Sequence, residues 1–231
     1  MTLLAATAIK AGYGPTLIVD DVSLRIEAGE MVCVLGRNGM GKTTLLKSIL
    51  GLVKRSAGSV LIAGNKVDGW PTHRIARLGV GYAPQERAVF HELTVADNLK
   101  LCLSRGIDKK AIAKLLDKFP TLATKLGQRA GSLSGGEQKM LVLAAAISGS
   151  PSLVVLDEVV EGVQPNLVSQ FIEIIRGVNQ RHGSAFLIVE QNIGFALKVA
   201  SRFMIMKGGR IVEEGPTLDG TRATVERHFI L

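Results

Sequence analysis

Residues 36–44, GRNGMGKTT, follow the strand candidate Glu30–Leu35 and precede a segment in which leucine and isoleucine recur at helical spacing from Leu45 onward. A complete G-x4-G-K-T sequence between a strand and a helix is typical of a phosphate-binding loop. Its glycines let main-chain N–H groups curve around phosphates, and the N-terminus of the following helix adds partial positive charge. A glycine-rich turn without a ligand is the alternative interpretation. We predict that this loop binds a nucleotide.

Two side chains of the loop have particular tasks. Lys42 should reach the β- and γ-phosphates and stabilise the transferred charge, and the Thr43 hydroxyl should be a ligand of Mg²⁺. The predicted ATP-binding residues of the loop are Gly36, Arg37, Asn38, Gly39, Met40, Gly41, Lys42, Thr43 and Thr44. ATP and Mg²⁺ are therefore the predicted cofactors.

A second motif places two carboxylates side by side at the end of an apolar run. Val154, Val155 and Leu156 read as a buried strand, and Asp157 and Glu158 follow directly. In a phosphate-loop ATPase an acidic residue at the end of a neighbouring strand helps to hold Mg²⁺, which fits Asp157. Glu158 is then free to orient or deprotonate the attacking water. A solvated strand terminus is the alternative interpretation.

Composition and apolar pattern indicate an α/β fold. The 231 residues, 47% hydrophobic and 21% charged, suffice for one large domain. Strand candidates occur at 30–35, 59–63, 80–83, 152–156, 185–189 and 203–206. They alternate with helical segments, except over 92–149, where the pattern is helical throughout. We predict a single domain over 1–231, with a core of 1–91 and 150–231 and an inserted helical subdomain over about 92–149.

Charge, apolar runs and cysteine content limit the classes of function and partner that the chain can have. The net charge of +8 could favour nucleic acid or an anionic membrane surface, but no block of like charges occurs and aromatic residues are only 4%. We therefore predict no nucleic-acid partner. Met1–Ala8 lacks the features of a signal peptide, and the longest uncharged run, Met140–Leu156, is interrupted by a turn and too short to span a membrane. Cys33 and Cys102 are expected to be reduced and buried.

Residues 133–138, LSGGEQ, form the third motif. Ser134 and Glu137 have the spacing of a capping box, so a helix should begin here, with N–H groups open to an anion. Together with the loop at 36–44 and the acid pair, this stretch closely resembles the signature of ATP-binding-cassette (ABC) ATPases. The resemblance covers nearly the whole chain and implies a phosphate-loop core with a mixed sheet.

The resemblance also implies how ATP is held. ABC ATPases pair head to tail, so Ser134, Gly135, Gly136 and Glu137 would contact ATP bound to the loop of a second ATPase subunit or a second copy of this chain. Tyr13 would stack on adenine, although a lone loop tyrosine is the alternative. Gln85 would sense Mg²⁺ and the membrane subunit, and the segment 86–99 would dock on transmembrane permease subunits. In that segment Thr94 and Asp97 also fit the start of a capped helix.

Several stretches are similar to the ATPases of branched-chain amino acid or urea importers. They are GRNG at 36–39, VFHELTV at 89–95, EGVQP at 161–165 and VEQN at 189–192, with EGVQP and Gln85 favouring the urea type. This similarity implies a peripheral protein at the cytoplasmic face of the inner cell membrane.

Four positions depart from the family pattern. Val159 and Val160 replace the usual proline and threonine or serine, and Ala145 lies where arginine is common. Gln191 falls where most members have a catalytic histidine, and no histidine of this chain can be aligned there. A glutamine can donate a hydrogen bond to the γ-phosphate but cannot become cationic. We therefore predict a slower site on this chain and a heterodimer with a faster partner ATPase.

Two other functions stay open from the sequence. A non-transport ABC ATPase acting on DNA or ribosomes is one, although Leu45–Gly131 is too short for a long coiled-coil insertion and only one cassette is present. A weakly hydrolysing subunit with a structural role is the other.

Overall fold

Two β-sheets and the helices packed on them make up the computed structural model, which describes residues 1–86, 89–102 and 109–229, with the backbone alone for 109–111. The strands are β1 (Thr2–Tyr13), β2 (Thr16–Glu27), β3 (Met31–Leu35), β4 (Arg55–Ile62), β5 (Asn65–Lys66), β6 (Val80–Ala83), β7 (Leu153–Asp157), β8 (Ala185–Glu190), β9 (Arg202–Lys207) and β10 (Arg210–Pro216). The helices are α1 (Lys42–Ile49), α2 (Thr72–Ala76), α3 (Val95–Cys102), α4 (Lys109–Leu116), α5 (Pro120–Ala123), α6 (Gly135–Ile147), α7 (Pro165–His182), α8 (Ile193–Val199) and α9 (Thr221–Arg227).

The larger sheet has the strand order β10-β9-β3-β8-β7-β6. Neighbouring strands from β9 to β6 are parallel, and β10 pairs antiparallel with β9, so the sheet is mixed, as predicted. Every residue of β7 and β8 is buried, as expected for parallel strands covered on both faces. The strands predicted at 30–35, 80–83, 152–156, 185–189 and 203–206 match β3, β6, β7, β8 and β9 to within one residue at each end.

The smaller sheet is antiparallel, with the order β2-β1-β4-β5. The sequence prediction found part of β4 but missed β1 and β2, the longest strands of the sheet. Ala8 and Asp21 have positive φ, and the pairing of β1 with β2 shifts register along its length. Such irregularities break the two-residue alternation by which a half-buried strand is recognised.

Alternate residues of the larger sheet enter two separate cores. Val154 and Leu156 of β7 pack with apolar residues of α6, α7 and α8, whereas Leu153 and Val155 pack with α1 and the antiparallel sheet. The ends of β3, β7 and β8 are thus held between packed layers. These strand ends carry the motifs at 36–44 and 157–158.

The chain between β6 and β7 contains α3 to α6, a short 3-10 turn at Ala130–Ser132 and an isolated bridge between Thr94 and Arg129. The predicted start of α3 is confirmed, because the Thr94 hydroxyl accepts the N–H of Asp97 at 3.1 Å. The treatment of this segment as a subdomain remains a proposal. No helix among the described residues has the length and apolar character needed to cross a membrane.

Both cysteines are free thiols, and the predicted burial is correct for Cys33, in β3, and wrong for Cys102, which is exposed. Cys102 is the last residue of α3, and the buried residues of that helix end at Leu99. The final turn of α3 is therefore open to solvent.

Candidate nucleotide site

The loop between β3 and α1 has a backbone that requires glycine at two points. Gly41, the residue before α1, has φ 97°, a left-handed conformation that side chains disfavour. A Cβ on Gly36 would lie 2.6 Å from the carbonyl oxygen of Met206. The loop is therefore wedged against β9 and turns directly into the N-terminus of α1.

Lys42 lies at the start of α1 with its ammonium group folded back into the loop. Its Nζ donates to the carbonyl oxygens of Gly36 at 2.8 Å and Arg37 at 3.0 Å. It also forms an ion pair with Glu158, with Nζ 2.9 Å from Oε1 and side chains only 3% and 6% exposed. All three ammonium hydrogens therefore have acceptors within the site.

The two predicted catalytic groups Lys42 and Glu158 thus touch each other, although they are far apart in the chain. Glu158 follows β7 and has φ 49°, an uncommon conformation for a residue with a side chain. Backbone strain of this kind clusters at functional sites.

Two of the three predicted Mg²⁺ ligands also meet. The Thr43 hydroxyl donates to Asp157 Oδ1 at 2.9 Å, and the Tyr82 hydroxyl lies 3.4 Å from Oδ2. Burial raises the pKa of Asp157, the Thr43 hydrogen bond opposes this shift, and the nearby charge of Glu158 adds to it. A cation beside Asp157 would relieve the cost of that buried charge. The oxygen pair fits Mg²⁺, which usually takes one or two protein carboxylates together with phosphate and water.

Gln85, the third predicted metal ligand, bonds elsewhere. Its side-chain Nε2 donates to Glu158 Oε2 at 2.8 Å and to Glu161 Oε2 at 3.1 Å. The structure therefore brings Gln85 to the predicted catalytic carboxylate and shows no hydrogen bond from it to Thr43 or Asp157.

A cavity of about 350 Å³ opens over the loop. Its lining residues are Tyr13, Ile18, Asn38, Gly39, Met40, Gly41, Lys42, Thr43, Thr44, Gln85 and Glu158. Tyr13, the last residue of β1, is 53% exposed, so the face of its ring is accessible for stacking. The cavity offers one aromatic ring, a loop of N–H groups, a lysine and one carboxylate, and the Asp157 carboxylate lies beside it on Thr43, which suits a nucleoside triphosphate.

The signature residues 134–137 do not line this cavity. The predicted capping box is confirmed: Ser134 Oγ accepts the N–H of Glu137, and the Glu137 carboxylate accepts the N–H of Ser134 at 3.0 Å. A hydrogen bond from Lys125, at 2.7 Å, is the main cause that lowers the pKa of Glu137. Ser134 and Gly135 are exposed at the N-terminus of α6.

Gln191 lies one residue beyond β8, is exposed, and is also outside the cavity lining. The preceding residue, Glu190, accepts the N–H of Gly36 through its carbonyl oxygen at 3.3 Å, so Gln191 is next to the start of the phosphate loop. Asn192 caps α8, with Oδ1 accepting the N–H of Phe195 at 2.9 Å.

Sequence reasoning missed two charged residues of the site. Lys139 of α6 donates to the carbonyl oxygens of Glu158 at 3.1 Å and Glu161 at 2.6 Å, and burial lowers its pKa. Glu190 is a buried carboxylate at the end of β8. An acid that ends an apolar strand was a readable signal for Glu190, as it was for Asp157. Lys139 gave no comparable signal.

A family model described as ABC transporter matches residues 19–161, which include all three motifs. The chain belongs to the ABC transporter family. The branched-chain amino acid transport ATP-binding protein BraG of Pseudomonas aeruginosa is 36% identical over 91% of each chain. The lipopolysaccharide export ATP-binding protein LptB of Haemophilus influenzae is 34% identical over 93% of this chain and 91% of its own. A probable branched-chain amino acid transport ATP-binding protein, LivF of Archaeoglobus fulgidus, is 34% identical over 92% of each chain.

Solved structures agree on the fold. A nucleotide-free ATP-binding cassette of an ABC transporter superposes with a TM-score of 0.86 at 24% identity, over 100% of this chain and 99% of the other. A dimeric cassette with ADP and phosphate superposes with a TM-score of 0.84 at 20% identity, over 94% of this chain and 99% of the other. The predicted phosphate-loop fold is confirmed. As a member of this family the chain binds ATP and is the ATPase subunit of a transporter.

Proposed function

We propose that this ABC ATPase drives an importer of branched-chain amino acids, urea or similar small polar solutes. The observation that carries the proposal is the similarity to BraG and LivF over more than nine-tenths of each chain, since both are named for branched-chain amino acid transport. LptB is nearly as similar but is named for lipopolysaccharide export. The stretches EGVQP at 161–165 and VEQN at 189–192 favour the importer.

We assign hydrolysis to the residues around the Lys42–Glu158 pair. The loop N–H groups and Lys42 bind the phosphates of ATP, and Tyr13 stacks on the adenine. Thr43, Asp157 and Gln85 would hold Mg²⁺, which when bound neutralises phosphate charge. Glu158 orients the water and takes its proton. Because Lys42 turns to the γ-phosphate when ATP binds, Glu158 is released from the ion pair for this role.

The active form is a head-to-tail dimer. Ser134–Glu137 lie outside the chain's own cavity at a helix N-terminus that suits an anion, and Ser134 and Gly135 are exposed, which supports the use of this segment on ATP held by a second subunit. The head-to-tail pairing of the ABC family and the dimeric cassette of similar fold support the same assembly. With Gln191 in place of a histidine, we assign the second subunit to a different, faster ATPase.

The permease docks beside Gln85 on residues 86–99, of which 87 and 88 lie outside the described residues. Phe90 is 62% exposed and Leu93 is 36% exposed in this segment, so the two side chains offer apolar surface for a partner to cover. The adjacent cleft of about 190 Å³ includes Val89 and His91 from this segment and Lys139 and Val142 from α6. Through the permease the chain sits peripherally at the cytoplasmic face of the inner membrane.

The test is reconstitution of the complex with its co-encoded permeases in vesicles. We expect the chain to fractionate with the vesicles only when permeases are present, and ATP hydrolysis to rise when a binding protein delivers leucine or urea. Permeases with substitutions on the cytoplasmic surface that contacts residues 86–99 are the control. Stimulation by lipopolysaccharide instead of the small solutes would refute the importer, and binding of the isolated chain to DNA or ribosomes would favour the non-transport alternative.

A further inference from the structure

Glu190 ends β8 as a carboxylate that is only 1% exposed. Its Oε1 accepts the N–H of Val160 at 3.2 Å, and its Oε2 accepts the N–H groups of Gln191 at 3.2 Å and Asn192 at 3.4 Å. Glutamate is rarely buried to this degree unless polar groups compensate for its desolvation. Here the compensation comes from three main-chain N–H groups that belong to two different segments.

The main chain of Glu190 reaches a third segment. Its carbonyl oxygen accepts the N–H of Gly36, the first residue of the phosphate loop, at 3.3 Å. One residue therefore joins the phosphate loop, the segment that follows Glu158, and the residues after β8. Each of these three segments carries part of the proposed ATP site.

The charges around Glu190 come from several elements. Cys33 on β3, Lys139 on α6 and Glu158 after β7 interact electrostatically with it, and Lys42 acts on the same Cys33 thiol. Burial is the main cause that raises the pKa of Glu190 to about 7, the three N–H bonds oppose the shift, and the charge of Glu158 adds to it.

We propose that Glu190 is a positioning residue that fixes the segment after Glu158 against Gln191, and thereby sets where the Glu158 carboxylate lies. Val160 is two residues from Glu158, and its N–H is bound by Glu190. The usual proline after the acid pair, which would restrict the backbone by itself, is replaced by Val159. Glu190 supplies the missing restraint through hydrogen bonds. This inference rests on the role proposed for Glu158.

Glu190→Gln separates this role from simple packing. The glutamine has the same shape but only one acceptor oxygen, so its NH₂ group must face either the Val160 N–H or the Gln191 and Asn192 N–H groups. The hydrogen bonds to one of these two segments are then lost, and a buried N–H without an acceptor is costly. The segment after Glu158 is no longer held in place, so we expect kcat to fall about tenfold. The dissociation constant for ATP should stay within about twofold, because the groups that bind phosphate are unchanged.

The dependence on pH gives the decisive readout, because a protonated Glu190 resembles glutamine. Steady-state ATP hydrolysis by the purified chain is measured from pH 6 to pH 8 for wild type and Glu190→Gln. Only the ionised form of Glu190 differs from glutamine, and its pKa is about 7. The kcat of wild type divided by that of Glu190→Gln should therefore rise from about two at pH 6 to about nine at pH 8. Taking the ratio removes the titration of groups that both proteins share. Glu173→Gln, an exposed carboxylate on α7, is the matched control and should give a ratio near one throughout.

A kcat ratio that is constant with pH, or a loss of ATP affinity as large as the loss of kcat, would overturn the proposal. Glu158→Gln is assayed in parallel: if that variant keeps its turnover, the assigned role of Glu158 is wrong and the failure lies there. If Glu190→Gln does not fold, as judged by thermal melting, Glu190→Asp provides the test. Its shorter carboxylate cannot reach both segments, so its kcat should fall at unchanged ATP affinity, and an unchanged kcat would refute the role.

Discussion

If Lys42 binds the phosphates as proposed, ATP and Glu158 compete for its ammonium group, and this competition can be measured. Glu158 holds Lys42 at 2.9 Å in a buried ion pair. On the proposed assignment ATP would replace that carboxylate with phosphate, so part of its binding free energy would be needed to break the pair. Glu158→Gln keeps the side-chain shape and an acceptor oxygen for Lys42 but removes the charge.

The magnitude follows from the strength of the contact that is weakened. Hydrogen bonds to charged groups contribute about 1.5–3 kcal/mol, and a neutral amide retains roughly half of that. We therefore expect Glu158→Gln to gain about 1 kcal/mol in ATP affinity, or roughly fivefold. Turnover should fall about a hundredfold or more, because the general base is lost. Binding and catalysis should thus move in opposite directions.

Titration calorimetry with ATP and a turnover assay on the same preparations measure both effects. Glu161→Gln is the matched control, because Glu161 contacts Gln85 but forms no ion pair with Lys42. It should change ATP affinity by less than about twofold. Weaker ATP binding by Glu158→Gln would show that the ion pair does not oppose ATP, and turnover within a few-fold of wild type would show that Glu158 is not the base.

Three further predictions concern the same site. Lys42→Ala should lower both ATP affinity and turnover by at least about tenfold, because the charge nearest the phosphates is removed. Unchanged ATP affinity in calorimetry would contradict the assignment of the loop as the phosphate site. Lys139→Met should leave the carbonyl oxygens of Glu158 and Glu161 without the Lys139 donor. Turnover should then fall several-fold at near-normal ATP affinity. A Michaelis–Menten analysis that finds only a change in KM would refute this prediction. In the assembled complex, inactivating the partner's water-positioning glutamate should lower transport-coupled hydrolysis more than Glu158→Gln does, since Gln191 cannot become cationic. The reverse order, or full activity of this chain as a homodimer, would exclude a slow site on this chain and a faster one on the partner.

The motifs could be read from the sequence because each is a short, contiguous run whose chemistry depends on residue type. The loop at 36–44 and Asp157–Glu158 meet because β3 and β7 run parallel in one sheet, and the carboxyl ends of parallel strands lie at the same edge. The caps at Thr94, Ser134 and Asn192 were predictable for the same local reason.

The remaining features depend on contacts between distant parts of the chain. Lys139 and Glu190 act on main-chain atoms 19 to 30 residues away, and no side-chain pattern marks such partners. The strands β1 and β2 were missed because the bulges near Ala8 and Asp21 reset the alternation of buried residues. Exposure of Cys102 could not be foreseen without knowing where the covered part of α3 ends.

Because residues 134–137 lie outside the chain's own cavity, activity per molecule should depend on protein concentration. If each ATP is enclosed only when two cassettes meet, one molecule alone holds half of each binding surface, and the complete site exists in proportion to the paired fraction. Activity per molecule is then a property of the solution as well as of the fold: it declines as the protein is diluted below the dissociation constant of the pair. Tethering two cassettes to one membrane complex would hold them at high local concentration and make hydrolysis independent of how much protein the cell contains.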